Sequence, residues 1–165
     1  MKKSADQNEL GAYLANQSLK STDICKITGL RAPDLSKLSS GITSRLPADT
    51  FYRIHRAINS DIVDMLTKVF PKTKLNPDWQ KRLKNKKLEN TSTDLGFLLL
   101  NEENSRAIIS AKTGITVERL RDLSNKISSE LLAEELYLIE LAYNKTPGEF
   151  FTKLYKDLRL NTLDE

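Results

Sequence analysis

The segment KITGLRAPDLSKLSSG, residues 26–41, has a spacing that recurs 85 positions later in AKTGITVERLRDLSNK, residues 111–126. Both segments run Thr-Gly-aliphatic, four residues, Leu, two residues, Leu-Ser. A glycine directly after a short apolar segment is typical of the left-handed residue that ends a helix. Leucines three residues apart beyond it lie on one face of a second helix. The pattern therefore predicts two short helices joined by a tight turn, present twice in the chain.

The repeat extends well beyond these two segments. At an offset of 85, Leu10 aligns with Leu95 and Phe70 with Tyr155 without a gap, and 20 of the 61 aligned positions are identical. We interpret this as a duplicated unit of about 60 residues, near the lower limit for folding alone. The apolar spacing predicts five helices in each copy and an all-α fold. We expect two separate domains, residues 1–72 and 94–165, joined by a short, basic, helical linker over residues 73–93.

Helix boundaries follow from the apolar periodicity and the capping signals. In the first copy we predict helices over residues 6–17, 21–28, 32–40 and 47–58, and a fifth beginning near residue 60. In the second copy the fifth helix has a capping-box signal, with Thr146 as the cap, Pro147 at the first helical position and Glu149 completing the box. We expect this helix to begin at Pro147.

Composition excludes several classes of protein. The chain has 165 residues, 39% of them hydrophobic and 29% charged, which is typical of a globular protein. Its single cysteine, Cys25, excludes a disulfide framework, and no cysteine or histidine cluster indicates zinc. Residues of a catalytic site or a cofactor loop do not appear, so we predict a non-enzyme without a cofactor. An N-terminal signal segment and a membrane span are also absent, and we expect a cytoplasmic protein.

Charge is divided unequally along the chain. Residues 1–70 hold 10 Lys/Arg against 7 Asp/Glu, residues 71–93 hold 7 against 2, and residues 94–165 hold 9 against 13. A basic front and an acidic back indicate a polyanionic partner for the first part only. The linker contains a basic cluster, Lys81, Arg82, Lys84, Lys86 and Lys87. A solvated helix explains this cluster as well as a clamp on a DNA backbone does.

Both copies resemble the phage-repressor and Cro type, lambda-repressor-like helix-turn-helix family, whose second and third helices follow the pattern SQxxLAxxxGxxxxxISxLxxG. In the first copy Ile24-Cys25, Gly29, Leu35-Ser36 and Gly41 occupy the pattern positions, and Ser21 stands where glutamine is usual. The second copy matches with Ser105-Arg106, Ile109-Ser110, Gly114 and Leu120. The resemblance implies a DNA-binding transcriptional regulator whose third helix enters the major groove.

The DNA-binding residues of the first copy are predicted from two sources. The face of the third helix opposite Leu35 and Leu38 carries Pro33, Ser36, Lys37 and Ser40, and Arg31 precedes this helix. The family pattern implies phosphate contacts at the start of the second helix and after the third. These positions are Lys20, Ser21, Thr43, Ser44 and Arg45. Lysine and arginine are common readers of guanine, and serine can bind phosphates or base edges.

The second copy has a mixed face and leaves alternatives open. Its candidate DNA-binding residues are Arg106, Thr116, Glu118, Arg121 and Asp122, and Arg119 is a further candidate for phosphate. Because Glu130 replaces Arg45, we favour a degenerate copy that serves dimerisation or a second half-site. The apolar fifth helix could pair chains through Phe150, Phe151, Leu154 and Leu158. The alternative function is a protein-interaction module, such as an adaptor or antitoxin-like component, on the same scaffold.

Overall fold

A computed structural model describes residues 8–43, 45–79, 93, 95 and 106–162. Within these ranges the chain forms helices and no strand, apart from one isolated bridge between Pro47 and Leu132, so the all-α prediction is confirmed. The helices are α1 (Leu10–Ala15), α2 (Ser21–Thr28), α3 (Ala32–Ser40), α4 (Ala48–Ala57), α5 (Ile62–Val69), α6 (Arg106–Thr113), α7 (Val117–Asn125), α8 (Ala133–Ala142) and α9 (Glu149–Tyr155). None of the described helices is long and apolar enough to span a membrane.

The recurring Thr-Gly pair forms the turn between α2 and α3. Thr28 Oγ1 donates to the carbonyl oxygen of Ile24 at 2.7 Å and accepts the Leu30 N–H at 3.3 Å. Gly29 between them has φ 77°, a left-handed conformation that glycine adopts without strain. Thr113 makes the equivalent bonds at 2.7 and 3.1 Å, beside Gly114 at φ 81°. The buried threonine hydroxyl and the left-handed glycine fix the chain reversal in both repeats.

Two leucines of α3 anchor this unit to the core of the first repeat. Leu35 and Leu38 are 2% and 7% exposed, and Ile24 of α2 is also buried. Gly11 lets α1 approach α3 closely, because a Cβ atom at this position would collide with the carbonyl oxygen of Ser39. The helices α2 and α3 have the predicted bounds, whereas α1 is shorter than predicted at both ends. The unit is thus held rigidly by its buried side.

The two repeats pack against each other, and their buried apolar side chains form one core cluster. The Ala48 N–H donates to the Leu131 carbonyl at 2.7 Å, and the Ala133 N–H donates to the Leu46 carbonyl at 2.8 Å. A shift of 85 residues converts each bond into the other, since Ala48 is equivalent to Ala133 and Leu46 to Leu131. The two bonds flank the Pro47–Leu132 bridge. Such reciprocity is the signature of a two-fold, isologous interface. We call the approximate axis through this bridge the pseudo-dyad.

Aromatic side chains fill the interface between the repeats. Phe51 and Phe151 lie 5.2 Å apart between ring centroids, and both are fully buried. Tyr52 contacts Tyr155 at 5.7 Å, and the equivalent pair, Phe70 and Tyr137, lies at 6.2 Å. Phe150 and Phe151 are buried in the core of their own chain, and Leu154 and Leu158 pack against it while partly exposed. Pairing of chains through this helix therefore stays a prediction.

An asparagine after the fifth helix of each repeat binds the other repeat. The Asn76 N–H donates to the Lys112 carbonyl at 2.7 Å, and its Nδ2 donates to the Ala111 carbonyl at 3.2 Å. The Asn161 N–H and Nδ2 bond in the same way to Ile27 and Lys26, at 2.8 and 3.1 Å. We call this reciprocal pair the asparagine clasp. It satisfies carbonyls at the C-terminal ends of α6 and α2.

The start of α9 differs from its prediction. The helix begins at Glu149, after Gly148 with φ 95°, and no side chain of the predicted capping box caps it. The buried carboxylate of Glu140 takes that role, accepting the N–H groups of Gly148, Phe150 and Phe151 at 2.7, 2.8 and 3.2 Å. The capping-box prediction was wrong because a buried carboxylate on the preceding helix, α8, satisfies the first N–H groups of α9.

Residues 80–92 of the predicted linker lie outside the described residues. The prediction of a helix beyond residue 79 and the basic cluster of residues 81–87 both fall there. Trp79, within the described part, contacts the second repeat, since the Lys112 ammonium lies 4.7 Å from the centroid of its ring.

Candidate functional site

Most of the predicted binding residues of the first repeat are exposed to solvent around α2 and α3. The exposed ones are Lys20, Ser21, Arg31, Pro33, Ser36, Lys37, Ser40 and Arg45, while Thr43 is half-buried. Ser44 lies outside the described residues. Since Leu35 and Leu38 hold the other side of α3 in the core, the polar residues of this helix are presented outward as a fixed set.

A cleft of about 500 Å³ between α1, α2 and α3 brings three of the predicted residues together. Ser21 lies on one wall, at the start of α2, and Ser36 and Ser40 lie on the other. Cys25 also lines the cleft, and burial raises the pKa of its thiol, which keeps the sulfur protonated and unreactive near neutral pH. The cleft thus presents hydroxyl groups that can donate to phosphate or base oxygens.

Arg31 is tied to the first turn of α3. Its Nε and Nη2 donate to the carboxylate of Asp34 at 2.8 and 3.2 Å. These bonds hold the pKa of Asp34 below its usual value, so the pair is fully ionised at neutral pH. Lys20 and Lys37, by contrast, make no ion pair with any described residue. Lys20 and Lys37 are therefore available to bind an anion.

Arg45 lies at the pseudo-dyad, apart from the cleft. Its Nη2 is 3.8 Å from Oε2 of Glu130, the residue at the equivalent position of the second repeat. Both side chains remain more than half exposed, at 63% and 53%. The loop before Arg45 folds back on α3, since the Thr43 N–H donates to the Lys37 carbonyl at 3.2 Å. Arg45 can therefore contact an anion at the rim of this surface while it faces Glu130.

The corresponding surface of the second repeat is more heavily engaged by the protein itself. Arg106 is only 9% exposed, and Thr116 caps α7 by accepting the Arg119 N–H at 3.1 Å. Asp122 pairs with Lys126 at 2.8 Å. Glu118 and Arg121 are exposed on α7. Of the five predicted residues, these two are the ones that the helix presents outward without a described partner.

Arg119 has a structural position rather than an outward one. Its Nε and Nη2 each donate to the carboxylate of Glu135 at 2.8 Å, and Nη2 also donates to the Glu130 carbonyl. The other function of Glu135 is to accept the Leu132 N–H at 3.0 Å, at the start of α8. This network joins α7 to α8. Arg119, a candidate phosphate contact from the sequence, is therefore occupied by bonds within the protein.

An exposed isoleucine follows α3 and α7 at equivalent positions. Ile42 is 78% exposed and Ile127 is 91% exposed. They are the two most exposed large hydrophobic residues in the described part of the chain, and they are identical in the repeat alignment. Sequence reasoning did not single them out, although an isoleucine beyond the end of an amphipathic helix is a signal of an apolar contact with another molecule.

The asparagine clasp was also missed. The repeat continues beyond Phe70 and Tyr155 at the same offset, with Leu75-Asn76 in the first copy and Leu160-Asn161 in the second. Extending the comparison by six residues would have shown an identical Leu-Asn pair in both repeats. Each clasp asparagine holds the helix that precedes the Thr-Gly turn of the other repeat.

Comparison with protein-family models, with curated proteins and with solved structures found no match to this chain. Among the described residues, no group of three or more His, Cys, Asp or Glu side chains could hold a metal ion.

Proposed function

We propose that the protein is a sequence-specific DNA-binding transcriptional regulator in which α2 and α3 form a helix-turn-helix. The observation that carries the proposal is the outward set on α3, Ser36, Lys37 and Ser40, held over a core fixed by Leu35 and Leu38. A recognition helix must be rigid on its buried side and polar on its exposed side. The three-residue connection Gly29–Arg31 between α2 and α3 agrees with such a unit.

The charges around α3 support a division of roles among its residues. Lys37 lies in the last turn of the helix, where its ammonium can donate to guanine O6 and N7. Lys20 and Ser21 lie at the N-terminal end of α2, where the N–H groups and the helix dipole favour a phosphate. Arg45 lies beyond α3 and can contact the backbone of the duplex. The first repeat is thus the main DNA reader in this proposal.

The first experiment measures binding to duplex DNA as a function of salt. Binding to a labelled random-sequence duplex is followed by fluorescence anisotropy between about 50 and 200 mM salt. The logarithm of the binding constant should fall linearly with the logarithm of the salt concentration, with a slope of about −0.9 for each phosphate neutralised. Arg45→Ala should weaken binding to every sequence and lower that slope by roughly 1. Lys156→Ala, which removes an exposed charge at the end of α9, is the matched control. Salt-independent binding, or none, would refute the proposal.

A second experiment separates base recognition from phosphate contact. Lys37→Ala should reduce affinity for a preferred duplex by about 1–3 kcal/mol and leave binding to random DNA nearly unchanged. Equal losses on both duplexes would assign Lys37 to the backbone instead.

The exposed isoleucines favour a second candidate function, a protein-interaction module on the same scaffold. Ile127, at 91% exposure, is apolar surface of the kind that protein partners cover. A stoichiometric protein complex that forms equally well after nuclease treatment, and is lost in Ile127→Asp, would support this candidate. Salt-dependent retention of DNA by the same variant would argue for the regulator.

A further inference from the structure

We propose that a single chain binds a two-part, asymmetric DNA site as a monomer, with α3 reading one half-site and α7 the other. The inference rests on the proposed function and adds its stoichiometry and its second reader. Its basis is the pseudo-dyad, which relates the two repeats by three independent sets of reciprocal contacts. In a two-fold pair of helix-turn-helix units, the recognition helices face two half-sites of one duplex.

The three sets of contacts involve different chemistry and different elements. The first is the backbone pair that joins the segments before α4 and α8, at 2.7 and 2.8 Å. The second is the aromatic pair of contacts, Tyr52 to Tyr155 and Phe70 to Tyr137. The third is the asparagine clasp, in which Asn76 and Asn161 hold α6 and α2. Because each of these three sets recurs with the repeats exchanged, the two turn units are placed equivalently about one axis.

The length of chain between each reading helix and the pseudo-dyad permits the spacing of two half-sites. Seven Cα–Cα steps lead from the end of each helix to the bridge, from Ser40 to Pro47 and from Asn125 to Leu132. At about 3.4 Å per residue, each helix ends within about 24 Å of the pseudo-dyad, so the two ends are at most roughly 50 Å apart. Half-sites one helical turn apart lie about 34 Å from centre to centre, which is within this reach.

The exposed residues of the two helices differ, which makes the two half-sites unequal. On α3 the base-reading cation is Lys37, and on α7 it is Arg121, whose guanidinium can bind guanine O6 and N7 with two hydrogen bonds. Glu118 on α7 can accept from cytosine N4. Ile42 and Ile127 follow the two helices at equivalent places, where each can cover a thymine methyl group. A chain with two different reading helices recognises a composite site rather than a palindrome.

The test begins with duplexes selected by the full-length protein from a random pool. Native mass spectrometry of the complex should show one chain per duplex, and the selected site should have two unlike halves. Lys37→Ala should relax base preference in one half and Arg121→Ala in the other, each by about 5- to 150-fold at the affected base. Arg159→Ala and Lys156→Ala, exposed and away from α3 and α7 in sequence, are the matched controls. Thermal unfolding should be unchanged in all four variants, since all four side chains are exposed.

The outcomes distinguish this inference from the proposed function. Two chains on a palindromic site, with both halves sensitive to Lys37→Ala and neither to Arg121→Ala, would overturn the monomer inference and leave the regulator standing. One chain on a site where Arg121→Ala behaves like Arg159→Ala would show that the second repeat does not read DNA. Failure of the wild-type protein to enrich any duplex would sink the proposed function itself.

Discussion

Replacement of Glu140 by glutamine should change how the stability of the protein depends on pH. The carboxylate is fully buried and bonds to three N–H groups at the start of α9. Desolvation raises the pKa of Glu140 from 4.5 to about 7, against the opposing effect of those three bonds. The folded state therefore holds this proton more tightly than the unfolded state does.

The sign and the size of the effect follow from that difference. Between pH 4.5 and about 7 the folded protein binds more protons than the unfolded chain, so its free energy of unfolding falls as pH rises through this window. At about 1.4 kcal/mol per pH unit, the full loss is roughly 3 kcal/mol above pH 7. Burial lowers the pKa of His55, which gives the opposite trend at acidic pH. The difference between wild type and Glu140→Gln cancels that contribution.

Urea unfolding followed by circular dichroism at pH 5, 6, 7 and 8 would measure the effect. The stability of the wild type relative to Glu140→Gln should fall steadily across the series and level off above pH 7. Glu118→Gln, which removes an exposed carboxylate on α7, should follow the wild type. A difference that stays constant, or that grows with pH, would refute the reasoning, because it would mean that Glu140 is already ionised at its ordinary pKa.

Three further substitutions test the packing described above. Gly11→Ala should lower the free energy of unfolding by about 1–3 kcal/mol in urea titrations, because the new methyl group meets the carbonyl of Ser39; an unchanged midpoint would mean that α1 can move away. Thr28→Val should cost about 1–3 kcal/mol through two lost hydrogen bonds, and Thr28→Ser should restore most of it by calorimetry. Phe151→Ala should lower the free energy of unfolding by about 3–5 kcal/mol, and it should destabilise both repeats because Phe151 packs on Phe51. Denaturation monitored separately in each repeat would measure this, and destabilisation confined to the second repeat would contradict the shared core.

The local elements could be predicted from the sequence because local chemistry decides them. The Thr-Gly pair, the leucines that follow it and Gly41 specify α2, the turn and α3 to the residue. Hydrogen bonds between near neighbours close the turn there, and the last carbonyls of α2 bond to a residue of the other repeat, Asn161. The outward residues of α3 could be placed for the same reason, because Leu35 and Leu38 fix which face of the helix is buried and so which face is exposed.

The relation between the repeats could not be predicted, because an apolar helix face does not specify what covers it. Phe151 has the same pattern whether it packs on Phe51 of its own chain or on a second chain. Glu140 was missed because a charged residue in an amphipathic helix is normally exposed. The binding of DNA and the family resemblance both stay predictions, as does the division of the chain at residues 72 and 94.

The pairing of Arg45 with Glu130 bears on how two such repeats find the correct partner. These residues occupy the same position in the two repeats and face each other at 3.8 Å. Two first repeats packed in this way would oppose arginine to arginine, and two second repeats would oppose glutamate to glutamate. The unlike charges therefore favour the mixed pair over either matched pair. A duplicated chain gains from this a built-in preference for closing on itself instead of linking to its copies, and it reaches its assembled form at any concentration.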